Sequence, residues 1–358
     1  MSVRRVDVAI VGAGAAGSAA ACVLARTASV ALIDRVAAPG WRIGETLPGA
    51  ARRLLVALGA WDRFAAAAHG DVPVRISRWG SDEPTEFDGL RDPDGGGWRI
   101  DRTRFERDLR ADAVDAGATL VEAGVDRLQW DGTRWMVTID GGDAIVADRI
   151  VATTGRGGGF SGRIGQRRAV FDRLVCVHQR VAARDANPAT YVHAEADGWW
   201  YTALLPGGER VVAFHGDADG PAIRRVLREG PVRAALATPG LAEAIGARVD
   251  DPATAPRCCA ANSVAATAAG EGWLAAGDAV TAFDPLSSQG LFNALATGLE
   301  AGMATRDALA GDEGAARNYA ARVGEVWSAY RRHHALYYGV ERRWRDRPFW
   351  RRRMTPDR

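Results

Sequence analysis

Gly12, Gly14 and Gly17 are spaced as glycine, any, glycine, any two, glycine, and Asp34 follows Gly14 by twenty residues. That pattern suits a dinucleotide. Gly12 allows a tight turn, Gly14 lets backbone approach a pyrophosphate, and Gly17 lets a helix pack close to a strand. The helix start, with Ala15 and Ala16, offers unpaired N–H groups to phosphate. Asp34, followed by Arg35, is placed to accept from a ribose hydroxyl. A second group lies far along the chain: Gly277-Asp278, then Asp284-Pro285-Leu286-Ser287-Ser288-Gln289-Gly290-Leu291. Glu45 and His215 are the candidates for moving protons. His178 and His193 have weaker cases, and His333-His334 is expected on a helix surface.

These residues need particular elements around them. Asp7–Val11 reads as a buried strand, 18–28 as a small-residue helix, and Val30–Ile33 as a second strand. A helix is expected over 49–68. Alternation over 72–87 predicts an antiparallel strand pair, and 91–97 a turn-rich loop. Asp101 caps a helix over 103–116, ended by Gly117. A parallel strand follows at 119–121, and a meander runs over 130–139 and 144–152. Further strands are expected near 174–181, 189–194, 200–205 and 210–215, with a helical stretch at 220–245. A strand and turn at 272–278 lead to a long helix over 290–310. The last 45 residues read as helical, then irregular. The fold class is α/β, a Rossmann-like domain with an inserted antiparallel sheet and a C-terminal helical segment. The nucleotide domain takes 1–70, 98–165 and 266–310. The inserted domain takes 71–97 and 166–265, and the terminal segment 311–358.

The 358 residues are 47% hydrophobic and 25% charged, with net charge +2, so no global charge argues for nucleic acid. Residues 331–358 carry +7, leaving −5 for the rest. All 46 basic residues are arginine. Cys22, Cys176, Cys258 and Cys259 have no metal-ligand spacing, and no metal is expected. A reduced, cytoplasmic protein is the simplest expectation. No run approaches the ~20 apolar residues of a membrane span.

With these motifs the chain resembles the flavoprotein class that includes p-hydroxybenzoate hydroxylase, geranylgeranyl reductase and the tryptophan halogenases. The resemblance implies a GR2-type FAD domain. It places Asp278, after Gly277, on the ribityl chain, Pro285 over the flavin as a catalytic neighbour, and the N–H groups of Gly290 and Leu291 at the flavin O2. It further implies that Arg102 contacts FAD and Val125 meets adenine through its backbone. Arg42, Gly44 and Glu45 belong to the loop that reaches the flavin.

A narrower resemblance lies in 41–48, 197–206, 212–214, 284–290 and the Arg/Trp-rich tail 338–353. These segments are similar to flavoproteins that oxygenate a tryptophan of a partner protein during tryptophylquinone maturation. The implied reaction passes oxygen from a flavin C4a-hydroperoxide to an electron-rich ring. The substrate is a tryptophan-bearing protein or peptide, or a small aromatic. Electrons come from NADH or NADPH, directly or through a separate flavin reductase. Residues 154–159 lack the acid of hydroxylases that bind NAD(P)H themselves, which weakens direct nicotinamide use and leaves room for a separate reductase. Halogenation is disfavoured, because that branch carries a working lysine and this chain has none. A reductase of the geranylgeranyl type stays open. The tail reads as a helix packed on the flavin domain with snorkelling arginines, or as a docking surface for an acidic peptide. Neither nucleic acid nor membrane is an expected partner.

Overall fold

The computed structural model describes residues 3–89, 92–183, 187–248, 251 and 253–354. Arg91, the first residue of the expected 91–97 loop, lies outside them. Strand Val3–Val11 (β1) is central to the sheet, and its apolar run Val8–Val11 is buried on both faces, as a parallel sheet requires. It pairs in parallel with Val30–Asp34 (β2), which pairs with Thr119–Glu122 (β3). On its other side lies Ala144–Ala152 (β4), then Trp273–Ala275 (β10), both parallel. Strands Val125–Trp130 and Trp135–Ile139 run antiparallel off β4, as a meander should.

The helix Ala15–Leu24 (α1) is buried along its whole length. Such burial needs small side chains, since helix Gly290–Leu309 (α3) crosses at backbone contact. A Cβ on Gly298 would stand 2.3 Å from the Ala16 carbonyl oxygen.

A seven-stranded sheet forms the second layer. Its spatial order is Arg257–Ala260 (β9), Leu174–Ala182 (β5), Glu209–Asp217 (β8), Gly198–Leu204 (β7), Thr190–Glu195 (β6), then Val74–Arg78 and Thr85–Asp88. Its pairs are antiparallel except one: Val74–Arg78 enters from a distant segment and lies parallel to β6. The sheet is therefore mixed, where a purely antiparallel one is expected. β9 has no counterpart in the sequence reading.

Two expected helices are broken. The 49–68 helix becomes Ala51–Leu58 and Trp61–Ala66, because Gly59 adopts a left-handed φ of 77° and ends the first. The 220–245 stretch becomes three short helices, Pro221–Glu229, Pro231–Leu236 and Ala242–Ile245. The glycine-rich run 155–158 leads into the short helix Gly159–Arg163, with Gly158 as its N-cap.

The tail is more ordered than expected, with helices Ala315–Val340 (α4) and Pro348–Met354 (α5). α5 packs on the seven-stranded sheet, not the flavin-type domain. Trp350 is fully buried in one cluster with Phe349, Tyr338, Trp199 and Cys176. Its arginines are paired: Arg353 with Asp217 at 2.7 Å, and Arg352 with Asp217 and Asp219. Among the described residues no helix is long and apolar enough to cross a membrane.

Candidate active site

One cavity of about 900 Å³ runs from the glycine turn to the seven-stranded sheet, at the upper end of typical ligand pockets (~300–1,000 Å³). The turn exists because Gly12 takes φ 108°, where a Cβ would lie 2.4 Å from the Thr153 carbonyl oxygen. Thr153 Oγ1, at the end of β4, donates to Gly12 O at 2.6 Å and braces it. A Cβ on Gly17 would stand 1.8 Å from Gly12 O, so α1 packs directly on the turn. Gly14, the N-cap of α1, faces open space in the cavity.

Asp34 lines the same end, and its carboxylate is tied down. Oδ2 accepts from Ala13 N at 2.7 Å and from Arg110 Nη2 at 3.2 Å, while Oδ1 accepts from Val36 N at 2.8 Å. Arg110, buried on helix Arg102–Asp115 (α2), also donates to Ala13 O and Val36 O. It locks the glycine turn to the acid. Arg102 Nη1 donates to Gly44 O at 2.7 Å and Nη2 to Glu106 Oε1 at 2.5 Å. Glu106 also pairs with Arg42 at 3.1 Å. Arg102, Glu106 and Arg110 recur every fourth residue on one face of α2. Sequence reasoning missed the last two. The available signal was a helix face bearing charge where apolar residues are due.

Toward the middle, Asp278 lies 3.4 Å from Arg156 Nη2. Burial raises its carboxyl above the ordinary range, against the pull of Arg156, Arg102 and Arg168. Pro285, with Gly290 and Leu291 of the first turn of α3, lines the wall beside it. Behind them Asp284 is fully enclosed. Burial alone would raise Asp284, but His334, the Leu286 N–H and Arg353 outweigh it and hold it below the ordinary range. Its Oδ2 accepts from Tyr338 O–H at 2.8 Å and lies 3.4 Å from His334 Nε2. His334, expected at the surface, therefore turns inward. Beyond this turn a second cavity of about 400 Å³ lies between α3 and α4 and shares Phe283 and Asp284 with the first.

The far wall belongs to the sheet. Trp199 stacks on His215 with centroids 3.7 Å apart and planes 6° from parallel. Burial lowers His215 to about 3, so it is neutral at pH 7. Its Nδ1 has no hydrogen-bond partner among the described residues. Tyr201 faces the cavity and donates to Glu45 Oε1 at 2.5 Å. Glu45 itself turns away. It is 1% exposed, takes Gly44 N–H on Oε2 at 2.8 Å, and lies 3.5 Å from Arg99 Nη1. That nitrogen donates to Tyr201 Oη at 2.7 Å. Glu45, a candidate for moving protons, is thus buried behind the cavity wall with both carboxylate oxygens hydrogen-bonded.

The structure gathers most of the residues singled out by sequence. Gly12, Gly14, Ala15, Ala16, Asp34, Arg35, Arg42, Gly44, Arg102, Val125, Asp278, Pro285, Gly290, Leu291 and His215 all line the one cavity. Gly17, Glu45 and Gly277 stand behind it. Gly277 N–H donates to Thr297 Oγ1 at 2.8 Å and seats α3. Arg110, Arg156, Tyr201 and Cys259 were not singled out. FAD fits these residues: the open space beside Gly14 meets a helix N-terminus, and acids and arginines follow along the cavity.

Comparison with known proteins gives the same picture. LodB of Marinomonas mediterranea, named as a FAD-dependent oxidoreductase, is 24% identical over 361 residues, covering 97% of this chain and 96% of LodB. The flavin-dependent halogenase CmlS superposes with TM-score 0.85 at 24% identity, covering 99% of this chain and 68% of CmlS. The peptidyl tryptophan dihydroxylase QhpG, essential for tryptophylquinone cofactor biogenesis, gives TM-score 0.81 at 24% identity over 99% of this chain and 80% of its own. The FAD binding domain family matches residues 5–311. The chain belongs to the FAD binding domain family and is a FAD-dependent oxidoreductase.

Proposed function

We propose that the protein is a monooxygenase that adds oxygen to an electron-rich aromatic ring, with a tryptophan side chain of a partner protein or peptide as substrate. One observation carries this reading. A single cavity joins the glycine turn and the start of α3 to a wall of Trp199, Tyr201 and neutral His215. The likeness to QhpG supports the same substrate class.

Bound and reduced, FAD would activate O2 so that an oxygen atom can pass to the ring. The turn at Gly12–Gly17 and the N-terminus of α1 would hold the pyrophosphate. With Arg110 holding its carboxylate, Asp34 would accept from the adenosine ribose, and Asp278 would take the ribityl hydroxyls. The N–H groups of Gly290 and Leu291, at the positive end of α3, would stabilise negative charge on the reduced ring. Trp199 and Tyr201 exclude water and orient the substrate indole. Indole attacks electrophilic oxygen without first losing a proton, so no strong base is required. His215 offers Nδ1 as a hydrogen-bond acceptor and does not store a proton. Electrons would come from NADH or NADPH, directly or through a separate flavin reductase.

Halogenation lacks its working group. The cavity has no lysine, and arginine stays protonated near neutral pH. The test is to reduce FAD-loaded protein without oxygen, then add isotopically labelled O2 with tryptophan-centred peptides or indole. Labelled oxygen on the indole ring is the expected product. Reoxidation of flavin with no labelled product from either probe overturns the reading, as does chlorinated product in chloride.

A further inference from the structure

The sheet wall of the cavity carries a pair of thiols that the oxygenation chemistry above does not use. β5 and β9 run antiparallel with Cys176 directly opposite Cys259. Opposed residues of such a pair have Cα atoms ~4.5–5.5 Å apart, inside the ~4.4–6.8 Å range that a disulfide spans. Both side chains face the cavity, and both are free thiols. Cys258, one residue earlier on β9, points to the opposite face of the sheet.

The two thiols are chemically unequal. Cys176 is fully enclosed, and burial pushes its thiol up. Cys259 is partly open. A hydrogen bond from Cys176 holds it below the ordinary thiol range, and His178 acts in the same direction against burial. His178 is two residues beyond Cys176 on the same strand face, and Trp41 packs on it with centroids 5.3 Å apart. A partly open, acidified thiol beside a buried thiol is the arrangement of a reactive cysteine with its resolving partner. Among the described residues no group of three or more His, Cys, Asp or Glu is placed to hold a metal ion.

We propose that Cys176 and Cys259 form a redox-active dithiol in the cavity wall, which hydrogen peroxide closes to a disulfide. Cys259 thiolate attacks one peroxide oxygen and the O–O bond breaks. The leaving hydroxide takes a proton and becomes water, and Cys259 carries a sulfenic acid. Cys176 sulfur then attacks Cys259 sulfur and the S–O bond breaks. The second hydroxide takes the proton that Cys176 releases. Two thiols and one peroxide give one disulfide and two waters, with the two electrons supplied by sulfur.

The test uses FAD-loaded protein treated with a small excess of hydrogen peroxide, alkylated with iodoacetamide and digested without reductant. Mass spectrometry is expected to find a Cys176–Cys259 linked peptide, two hydrogens lighter than its parts and released by dithiothreitol. Two of the four thiols escape alkylation, while Cys22 and Cys258 stay alkylated after denaturation. In Cys176→Ser the same treatment is expected to leave Cys259 as a sulfenic acid trapped by dimedone. Full alkylation of both cysteines after peroxide overturns the proposal. So does a link through Cys258, or sulfinic acid at Cys259 of the unaltered protein with no link. The peptide map of the unaltered protein decides the matter even if the variant fails to fold.

Discussion

Gly14→Ala separates the cofactor's needs from the fold's. A Cβ at this position meets nothing within 4 Å, and the residue's φ of −78° and ψ of −171° suit alanine. Restricting the unfolded chain should stabilise by ~0.4–1 kcal/mol. Gly14 is also the N-cap of α1, where alanine is worse than glycine by about 0.5–1 kcal/mol. The two offset, leaving a net change within about 0.5 kcal/mol. A chain of this length unfolds with an entropy of about 0.75 kcal/mol/K, so Tm should move by less than about 1 °C. The methyl instead occupies the space where the pyrophosphate must approach the backbone. Losing one charge-assisted hydrogen bond there costs ~1.5–3 kcal/mol, or about 10–150-fold in Kd. Apoprotein should be titrated with FAD by flavin fluorescence, and its unfolding followed by calorimetry without FAD. Unchanged Kd at unchanged Tm refutes the placement of the pyrophosphate at this turn. Gly17→Ala is the contrasting case: its Cβ lies 1.8 Å from a backbone oxygen that cannot yield. A loss of about 3 kcal/mol, the upper range for overpacking, should lower the apoprotein Tm by about 4 °C.

Tyr201→Phe strips one hydrogen bond each from Glu45 and Arg99, both enclosed, and should cost ~1.5–3 kcal/mol in urea unfolding of the apoprotein. An unchanged midpoint contradicts the anchoring role of Glu45. His215, at about 3 when folded against an ordinary 6.5, takes up its proton more readily in the unfolded chain. Its stabilising contribution is complete above pH 6.5 and falls by about 1.4 kcal/mol per pH unit as acid is added toward pH 3. His215→Phe should flatten the acid limb of a stability–pH profile by that amount; an identical limb contradicts a neutral buried imidazole. Gly298→Ala should push α3 from α1, lowering apoprotein stability by ~1–3 kcal/mol and weakening FAD binding in titration, because both helices line the cavity.

What the sequence made legible was local. The turn at Gly12–Gly17 and the acid at Asp34 depend on residues within one strand-turn-helix-strand unit. Gly277-Asp278 and the start of α3 form another such unit. Breaks in the expected helices came from single glycines: Gly59 and Gly230 take positive φ, and side-chain periodicity carries no record of that. The buried charges were not legible, because their partners are distant. Arg110 answers to Asp34 and Ala13, and Glu45 to Tyr201 and Arg99. β9 escaped notice for a similar reason. Four residues rich in cysteine become a strand only when β5 lies beside them. The tail's arginines suggested a solvated or docking face, yet Asp217 and Asp219 neutralise Arg352 and Arg353 from another strand's end.

The cavity wall draws on residues 11–36, 42–46, 102–125, 153–163, 176–215, 259–261 and 276–294. α1 rests on α3, and β1 on β4, across long stretches of intervening chain. During synthesis the first glycine turn leaves the ribosome long before the helix that covers it. No partial chain contains the whole cavity, so full affinity for the dinucleotide appears only after the last of these segments docks. Folding that depends on such distant pairings is slow. A ligand that binds only the finished state adds RT ln(1 + [L]/Kd) to its stability. FAD present during expression should therefore raise the yield of folded protein, and riboflavin-starved cells should accumulate chains that have their strands but not their site.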